Sequence, residues 1–363
     1  MLTRRSLLAS TIAVPLAAQT KTEVKINWRD ARTLSVEGQG WKDTEAPYDR
    51  LPAKAKALVR PEVWNLSRQT TGIQVRFRAN TTAIHARWTL GLETLASVTM
   101  AGVAHSGLDL YARDDAGKMR WLGIGRPTKF PKNSAVLISD IKAGWRDFVV
   151  YLPLYNSVLE LEIGVPEGAE IAVASVRPVE KRLPITFYGT SITHASGASR
   201  AGMSHVSILG RRLDRPVINL GFGGNGRLEI ELATLLTELD SAVYVIDCLP
   251  NVVAAQVTER TEPLVKELRR VRPNTPILLV EDRSYQDSFL VEAKRRRNVE
   301  SRAAFVAAYE SLKKQKVGGL HYLKGEDLLG SDGEGTVDSS HPTDLGYMRQ
   351  ADAFEAALRP ILK

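Results

Sequence analysis

"PITFYGTSITHASG", residues 184–197, carries an apolar run straight into Gly189-Thr190-Ser191. A short, nearly continuous apolar segment ended by glycine reads as a strand buried on both faces, as in parallel sheets. Threonine and serine just beyond it fit a strand-to-helix turn, where short hydroxyl side chains cap the first N–H groups. The same placement also presents the Ser191 hydroxyl at the carboxyl end of a strand, the edge at which open α/β sheets bind ligands. Its neighbours along the chain decide between the two.

The pattern that begins at residue 184 continues to the end. Apolar strands "PITFYG", "PVINLG", "AVYVIDC", "PILLVE" and "GLHYL" alternate with helical segments. That alternation predicts a parallel sheet covered by helices on both sides. In the last helix Leu345, Met348, Ala351, Phe354, Leu358 and Ile361 fall on one face, and Thr343 stands before it as a cap. Residues 22–180 have a different period. In "GIQVRFRANTTAIHARWTL" Ile73, Val75 and Phe77 alternate with polar residues, as do Ile84, Ala86 and Trp88 after the turn. This predicts a hairpin with one buried face. "SGLDLYARDDAGKMRWLGIG" repeats the pattern around Asp114–Gly117, and "DFVVYLP", "LELEIGV" and "EIAVASV" follow. Short antiparallel strands without a convincing helix predict a β-sandwich or jelly-roll. The expected organisation is therefore a leader over 1–20, a β-sandwich domain over 21–180 and an α/β domain over 181–363. "RPVEKRLP", residues 177–184, is the linker.

The chain of 363 residues is long enough for two cores, and 44% hydrophobic with 25% charged residues is an ordinary globular composition. The net charge of +8 comes from scattered basic residues. The densest run, Lys294–Arg297, reads as the solvated face of a helix rather than a nucleic-acid patch, so no nucleic-acid partner is expected. "MLTRRSLLASTIAVPLAAQT" has the charged start, short apolar stretch and small residues of a secretory signal peptide, with a twin-arginine-like pair at Arg4-Arg5. The expectation is a periplasmic or secreted protein without stable membrane insertion. Cys248 is the single cysteine and lies in an apolar run, so it is read as core. The histidine spacing suggests no metal and no cofactor.

In a sheet of this kind the residues just past each strand carry the chemistry. Those are Gly189-Thr190-Ser191, then "NLGFGGNG" at 219–226, then Leu249-Pro250-Asn251, then "DSSHP" at 338–342. A serine hydroxyl needs a base to become a nucleophile, and imidazole suits neutral pH. A carboxylate on the second ring nitrogen fixes the tautomer, and Asp338 and His341 can supply both groups from one turn. An ester's tetrahedral oxyanion needs donors, for which the Ser191 amide, the glycine-rich loop and the Asn251 side chain are candidates.

These four blocks, in this order, resemble the SGNH (GDSL-like) hydrolase superfamily. "GTSIT" matches its serine block, "FGGNG" its glycine block, "LPN" its asparagine block and "DSSHP" its last. The resemblance implies a flavodoxin-like parallel sheet, with Ser191 as nucleophile, His341 as base and Asp338 as its orienter. It further implies Ser191, Gly224 and Asn251 as oxyanion donors, with Gly223 the alternative to Gly224. The chain departs from the commonest pattern at Thr190, where aspartate is usual, and at Val252, where a second aspartate is usual. The whole chain after the leader is similar to a two-domain bacterial subgroup whose β-domain carries Gly-x-Asp-Leu-Tyr, here Gly107–Tyr111. The expected function is an exported serine esterase acting on short O-acyl groups of an acylated small molecule or carbohydrate. A lysophospholipase or thioesterase is the alternative within the family.

Two readings of other classes compete. Gly221–Gly226 spells G-x-G-x-x-G with Asp247 ending the next strand, a dinucleotide fingerprint. It follows the second strand rather than the first, however, and leaves Ser191, Asn251, Asp338 and His341 without a role. A glycan-binding module would use Trp64, Trp88, Trp121 or Trp145, although Trp88 is in phase with the sandwich core. Asp109 and Tyr111 could close over the cleft or join the domains. His194 is too near Ser191 in the chain to be its base and is read as pocket lining. His205 is assigned to a helix and His321 to a strand core. Asp282, with Glu281 at the end of the fourth strand, is a possible substrate contact, as are His194 and Tyr111.

Overall fold

The computed structural model describes residues 24–363; the leader expected over 1–20 lies outside them. The first ten strands are β1 (Ile26–Asp30), β2 (Ser35–Glu37), β3 (Gln74–Asn80), β4 (Ile84–Leu90), β5 (Leu108–Arg113), β6 (Met119–Gly125), β7 (Lys132–Ile138), β8 (Trp145–Tyr151), β9 (Val158–Pro166) and β10 (Glu170–Val173). They form two antiparallel sheets, one ordered β1-β9-β4-β7 and the other β10-β3-β8-β5-β6 with β2 beside β3. Their inner faces bury Val75, Phe77, Ile84, Trp88, Phe148 and Ile163 in one apolar core. This is the sandwich the alternating pattern implies.

The stretch 73–90 differs from expectation in one respect. β3 pairs with β8, β2 and β10, whereas β4 pairs with β7 and β9, so the two are not a hairpin. The chain crosses from one sheet to the other, and the apolar faces of β3 and β4 meet across the sandwich. A period of two fixes which face is buried but not which strand lies alongside. β5 and β6 do form a hairpin, turning through Gly117 at φ 78°. The β-rich half also holds two short helices, α1 (Pro61–Ser67) and α2 (Gly102–His105). Neither is long enough to display a 3.6-residue period in sequence.

The second half contains β11 (Ile185–Gly189), α3 (Ser191–His194), α4 (His205–Leu213), β12 (Val217–Gly221), α5 (Ile230–Leu236), β13 (Val243–Asp247), α6 (Ala254–Val271), β14 (Ile277–Val280), α7 (Glu292–Lys314), β15 (Leu320–Leu323) and α8 (Asp344–Ile361). The sheet is wholly parallel, ordered β12-β11-β13-β14-β15. The order reverses beside β11, so the crevice at its carboxyl end is where such a sheet takes a ligand. Alternate strand residues face opposite layers. Phe187 and Val245 pack under α4 and α8, while Tyr188 and Ile246 pack under α5, α6 and α7. In α8 the buried stripe is Tyr347, Gln350, Ala351, Phe354 and Leu358, and Leu345 and Met348 are exposed. The stripe is thus rotated from the expected one in its first turn, where Tyr347 takes the inward place. Thr343 caps the helix, its Oγ1 accepting from the Gly346 amide at 3.2 Å. Cys248 is fully buried just past β13, where its thiol donates to the Tyr188 carbonyl.

Both layers extend into the N-terminal half. Trp41, Leu51, Val63 and Trp64 belong to the core under α5, α6 and α7, and Met100, Tyr111, Tyr151 and Leu154 belong to the core under α4 and α8. Trp64 is therefore core of the α/β half, and Trp88 core of the sandwich. Trp121 and Trp145 are half exposed.

Candidate active site

The carboxyl ends of β11, β12 and β13 converge. Past β11, Thr190 is extended and accepts from the Ile192 amide with its own Oγ1, so it caps α3 and sets Ser191 as the first helical residue. A threonine hydroxyl thus makes the capping bond that aspartate could make here. Thr193, one turn along, donates to Asp247 Oδ2 at 3.0 Å. The loop past β12 lies directly against this turn: a Cβ on Gly226 would stand 1.9 Å from the Gly189 carbonyl oxygen. Only glycine allows that approach.

The last block arrives from the opposite side. His341 Nε2 lies 2.8 Å from Ser191 Oγ, and His341 Nδ1 lies 2.7 Å from Asp338 Oδ2. The other Asp338 oxygen accepts from the Ser340 and His341 amides at 3.1 and 2.8 Å. Partial burial would raise the Asp338 pKa, but these hydrogen bonds and the imidazole outweigh it and hold the carboxyl below its ordinary value. The tight loop needs Ser339 at φ 76°. Residues 284–287 brace it, with the Gln286 amide donating to the Ser339 carbonyl at 3.1 Å and Asp287 and Lys294 meeting the Ser339 hydroxyl.

The candidate donors lie just past β12 and β13. Asn251 sits in a 3-10 turn, Leu249–Asn251, and its side-chain Nδ2 is buried without any hydrogen-bond partner among the described residues. A buried amide left unpaired is costly and calls for an explanation, of which a ligand that completes it is one. Gly224 is exposed, has φ 70°, and nothing lies within 4 Å of where its Cβ would be. Gly223 faces the serine more closely: its Cβ would lie 3.7 Å from Ser191 Cβ and 3.4 Å from the Tyr155 hydroxyl.

Several expected site residues lie elsewhere. Asp282 is buried and held by Arg297 Nη1 at 3.1 Å and Asn298 Nδ2 at 3.2 Å, so its carboxylate is turned into α7 rather than toward a substrate. Burial raises its pKa to about 6, against the pull of Arg297, Arg283 and Arg302. Glu281 likewise accepts from Tyr322 and the Gly325 amide. His194 is fully buried rather than pocket lining. Its Nε2 donates to the Leu154 carbonyl at 2.9 Å, its ring stacks on Tyr155 at 4.0 Å, and burial drives its pKa well down. His205 opens α4 and is buried, whereas His321 is only partly buried because β15 is an edge strand. Tyr111 and Asp109 join the domains: Asp109 accepts from the Gly202 amide, Arg200 and Trp121, and Arg200 also donates to the Tyr111 hydroxyl. Asp247, the acidic residue of the dinucleotide reading, is fully buried between Arg283 and Thr193, with Gln350 holding the other side of the guanidinium. No side-chain oxygen there is left for a ribose.

Three neighbours carry no motif in sequence. The Tyr155 hydroxyl, from the β-half, bonds Ser196 Oγ beside Gly223, and burial pushes its pKa up to about 12, so it stays protonated. Arg60, also from the β-half, donates to the side chain and carbonyl of Asn225 at 2.9 and 3.0 Å. Arg50 donates to the Asn219 and Gly221 carbonyls at 2.9 and 2.8 Å. All three act through contacts between distant segments, which no local spacing announces. Among the described residues no cluster of three or more His, Cys, Asp or Glu could hold a metal, and no helix is long and apolar enough to cross a membrane.

Residues 181–359 match the GDSL-like Lipase/Acylhydrolase family, and residues 26–171 match the GxDLY family, the N-terminus of Esterase_SGNH_hydro-type proteins. The chain is 31% identical to a protein of Bacteroides ovatus described as a GDSL-like lipase, with TM-score 0.88, over 93% of this chain and 98% of that one. The chain belongs to the GDSL-like (SGNH) lipase/acylhydrolase family and is an ester-hydrolysing enzyme. Its fold is also shared with a salicylyl-acyltransferase from a tetracycline biosynthetic pathway, at 17% identity and TM-score 0.74 over 93% of this chain and 97% of that one. A family two carbohydrate esterase from Clostridium thermocellum, in complex with cellohexaose, matches at 15% identity and TM-score 0.59 over 80% and 93%. None of the curated proteins matches the chain.

Proposed function

We propose that the protein is an exported serine esterase that removes short acyl groups, acetyl foremost, from an acylated carbohydrate or small molecule through an acyl-enzyme. The observation that carries this reading is the hydrogen-bonded line Ser191–His341–Asp338, with the unpaired Asn251 amide just past β13, the strand beside β11. Ser191 Oγ attacks the ester carbonyl carbon as His341 Nε2 takes its proton, and Asp338 stabilises the imidazolium. The oxyanion is met by the Ser191 amide, by Gly224 or its neighbour Gly223, and by Asn251 Nδ2. The imidazolium then protonates the departing alkoxide. In the second half a water gives its proton to His341 and its oxygen to the acyl carbon, releasing the acid and restoring the serine. The Tyr155 hydroxyl and Ser191 Cβ both lie within 4 Å of where a Cβ on Gly223 would stand, and a polar group that close to the nucleophile suits a short acyl group better than a long apolar one. The carbohydrate reading draws on the fold shared with the Clostridium thermocellum enzyme, and export on the charged and apolar start of the sequence.

The test is hydrolysis of p-nitrophenyl esters of graded acyl length by the wild type and Ser191→Ala. Turnover should fall as the acyl chain lengthens, and the variant should lose at least about 10³-fold. A preference for long chains would move the substrate to lipids or thioesters. Equal turnover by the variant would remove Ser191 from the mechanism.

A further inference from the structure

Asn251 lies on a short turn, and a turn by itself holds an amide loosely. Its two flanking carbonyls, however, both accept from one group: Arg297 Nη2 lies 2.7 Å from the Pro250 oxygen and 3.2 Å from the Val252 oxygen. The guanidinium is fixed in turn on its other nitrogen, where Nη1 donates to Asp282 Oδ2 at 3.1 Å and to the Tyr285 hydroxyl at 2.9 Å. Asp282 is itself buried and tied to Asn298. The planar fork of arginine suits this task, because it spans two carbonyls on one edge and a carboxylate on the other. Arg297 ends the basic run 294–297, but its side chain is 25% exposed against 61% and 67% for Arg295 and Arg296. The run is therefore a solvated face for the middle two residues only.

We infer that Arg297 is a positioning residue for the reaction, fixing the Asn251 amide where the oxyanion develops. This rests on the reading of Asn251 as an oxyanion donor. A misplaced donor loses transition-state stabilisation while leaving ester binding nearly untouched, so the effect belongs in kcat rather than KM.

The experiment is a double-mutant cycle of Arg297→Met and Asn251→Ala on p-nitrophenyl acetate, with Arg297→Lys as the conservative variant and thermal unfolding of each protein. Asn251→Ala should lower kcat by about 10²–10³-fold. Arg297→Met should lower it by roughly tenfold with KM within about twofold, Arg297→Lys should recover part of that loss, and Arg297→Met should cost little further once Asn251 is alanine. The same factor in both backgrounds would overturn the inference, as would a folded Arg297→Met with wild-type kcat. An unimpaired Asn251→Ala would instead overturn the oxyanion reading, and the inference with it. If Arg297→Met does not fold, the cycle is run with Tyr285→Phe, which loosens the guanidinium without leaving Asp282 unpaired. A kcat loss with Tyr285→Phe that disappears beside Asn251→Ala supports the inference, and no loss or an additive one overturns it.

Discussion

Gly223 and Gly226 stand three residues apart in one loop and fail differently when given a methyl group. At position 226 the new Cβ would lie 1.9 Å from the Gly189 oxygen, backbone against backbone, so the loop and the nucleophile turn must separate. Gly226→Ala should lower the melting temperature by several degrees or prevent folding, since core strain of this kind costs about 1–3 kcal/mol or more. At position 223 the nearest atoms lie at 3.4–3.9 Å, which is ordinary contact. Gly223→Ala should therefore melt like the wild type yet lose at least about tenfold in kcat/KM, because its methyl occupies space facing Ser191. Melting curves beside ester kinetics separate the two, and equal stability loss would contradict the assignment. At this scale the sequence was informative where chemistry dictates residue type. Ser191, Asn251, Asp338 and His341 could be picked out because nucleophile, donor, orienter and base each require a particular group. Arg50, Arg60, Tyr155 and Arg297 could not, because a guanidinium on a carbonyl, or a phenol beside a glycine, works from any segment that happens to pass nearby.

Helix α7 looks on its own like a charged surface helix, yet its inner edge supports the end of β14. Asn298 receives the Tyr285 amide and donates to Asp282, and Arg302 donates to the Asp282 carbonyl. The pH consequence follows from Asp282. A carboxyl held near 6 in the folded chain, against about 4 unfolded, binds more protons when folded between those values. Its contribution to stability therefore falls as pH rises from about 4 to about 6, then stays level. Urea unfolding of the wild type and Asp282→Asn across that window should show the stability difference, wild type minus variant, decreasing with pH. A flat difference would mean that the carboxyl titrates normally. Element identity was legible where a segment was continuously apolar, as in β11 to β15, or long and periodic, as in α8. Pairing in the sandwich was not, since β3 and β4 show the same alternation whether they lie side by side or face each other.

The β-half and the α/β half are distinct in topology but not in their cores. Trp41, Leu51, Val63 and Trp64 complete one apolar layer of the parallel sheet, and Tyr111, Tyr151 and Leu154 complete the other. Uncovering a buried residue of this size costs about 1.5–3 kcal/mol, so losing either group alone rivals the 5–15 kcal/mol that holds a typical protein folded. A fragment of residues 181–363 should therefore be insoluble or molten on expression. A monomeric fragment with cooperative melting and esterase turnover would show the halves to be independent. The two-part organisation was readable from the change of period near residue 184. The dependence of one part on the other was not, because residues 41–64 carry neither strand nor long-helix signals and their place is fixed only by what they cover.

Cys248 gives this molecule a built-in reporter. The thiol is the only one in the chain, has no solvent contact, and lies at the foot of the Asn251 turn between the parallel sheet and its covering helices. Burial also keeps it protonated, so the native protein offers an alkylating reagent neither access nor thiolate. Modification must wait for the sheet to part from that layer. The rate at which a small maleimide or a disulfide reagent labels the wild-type chain then becomes a clock for that opening, with no engineered cysteine needed.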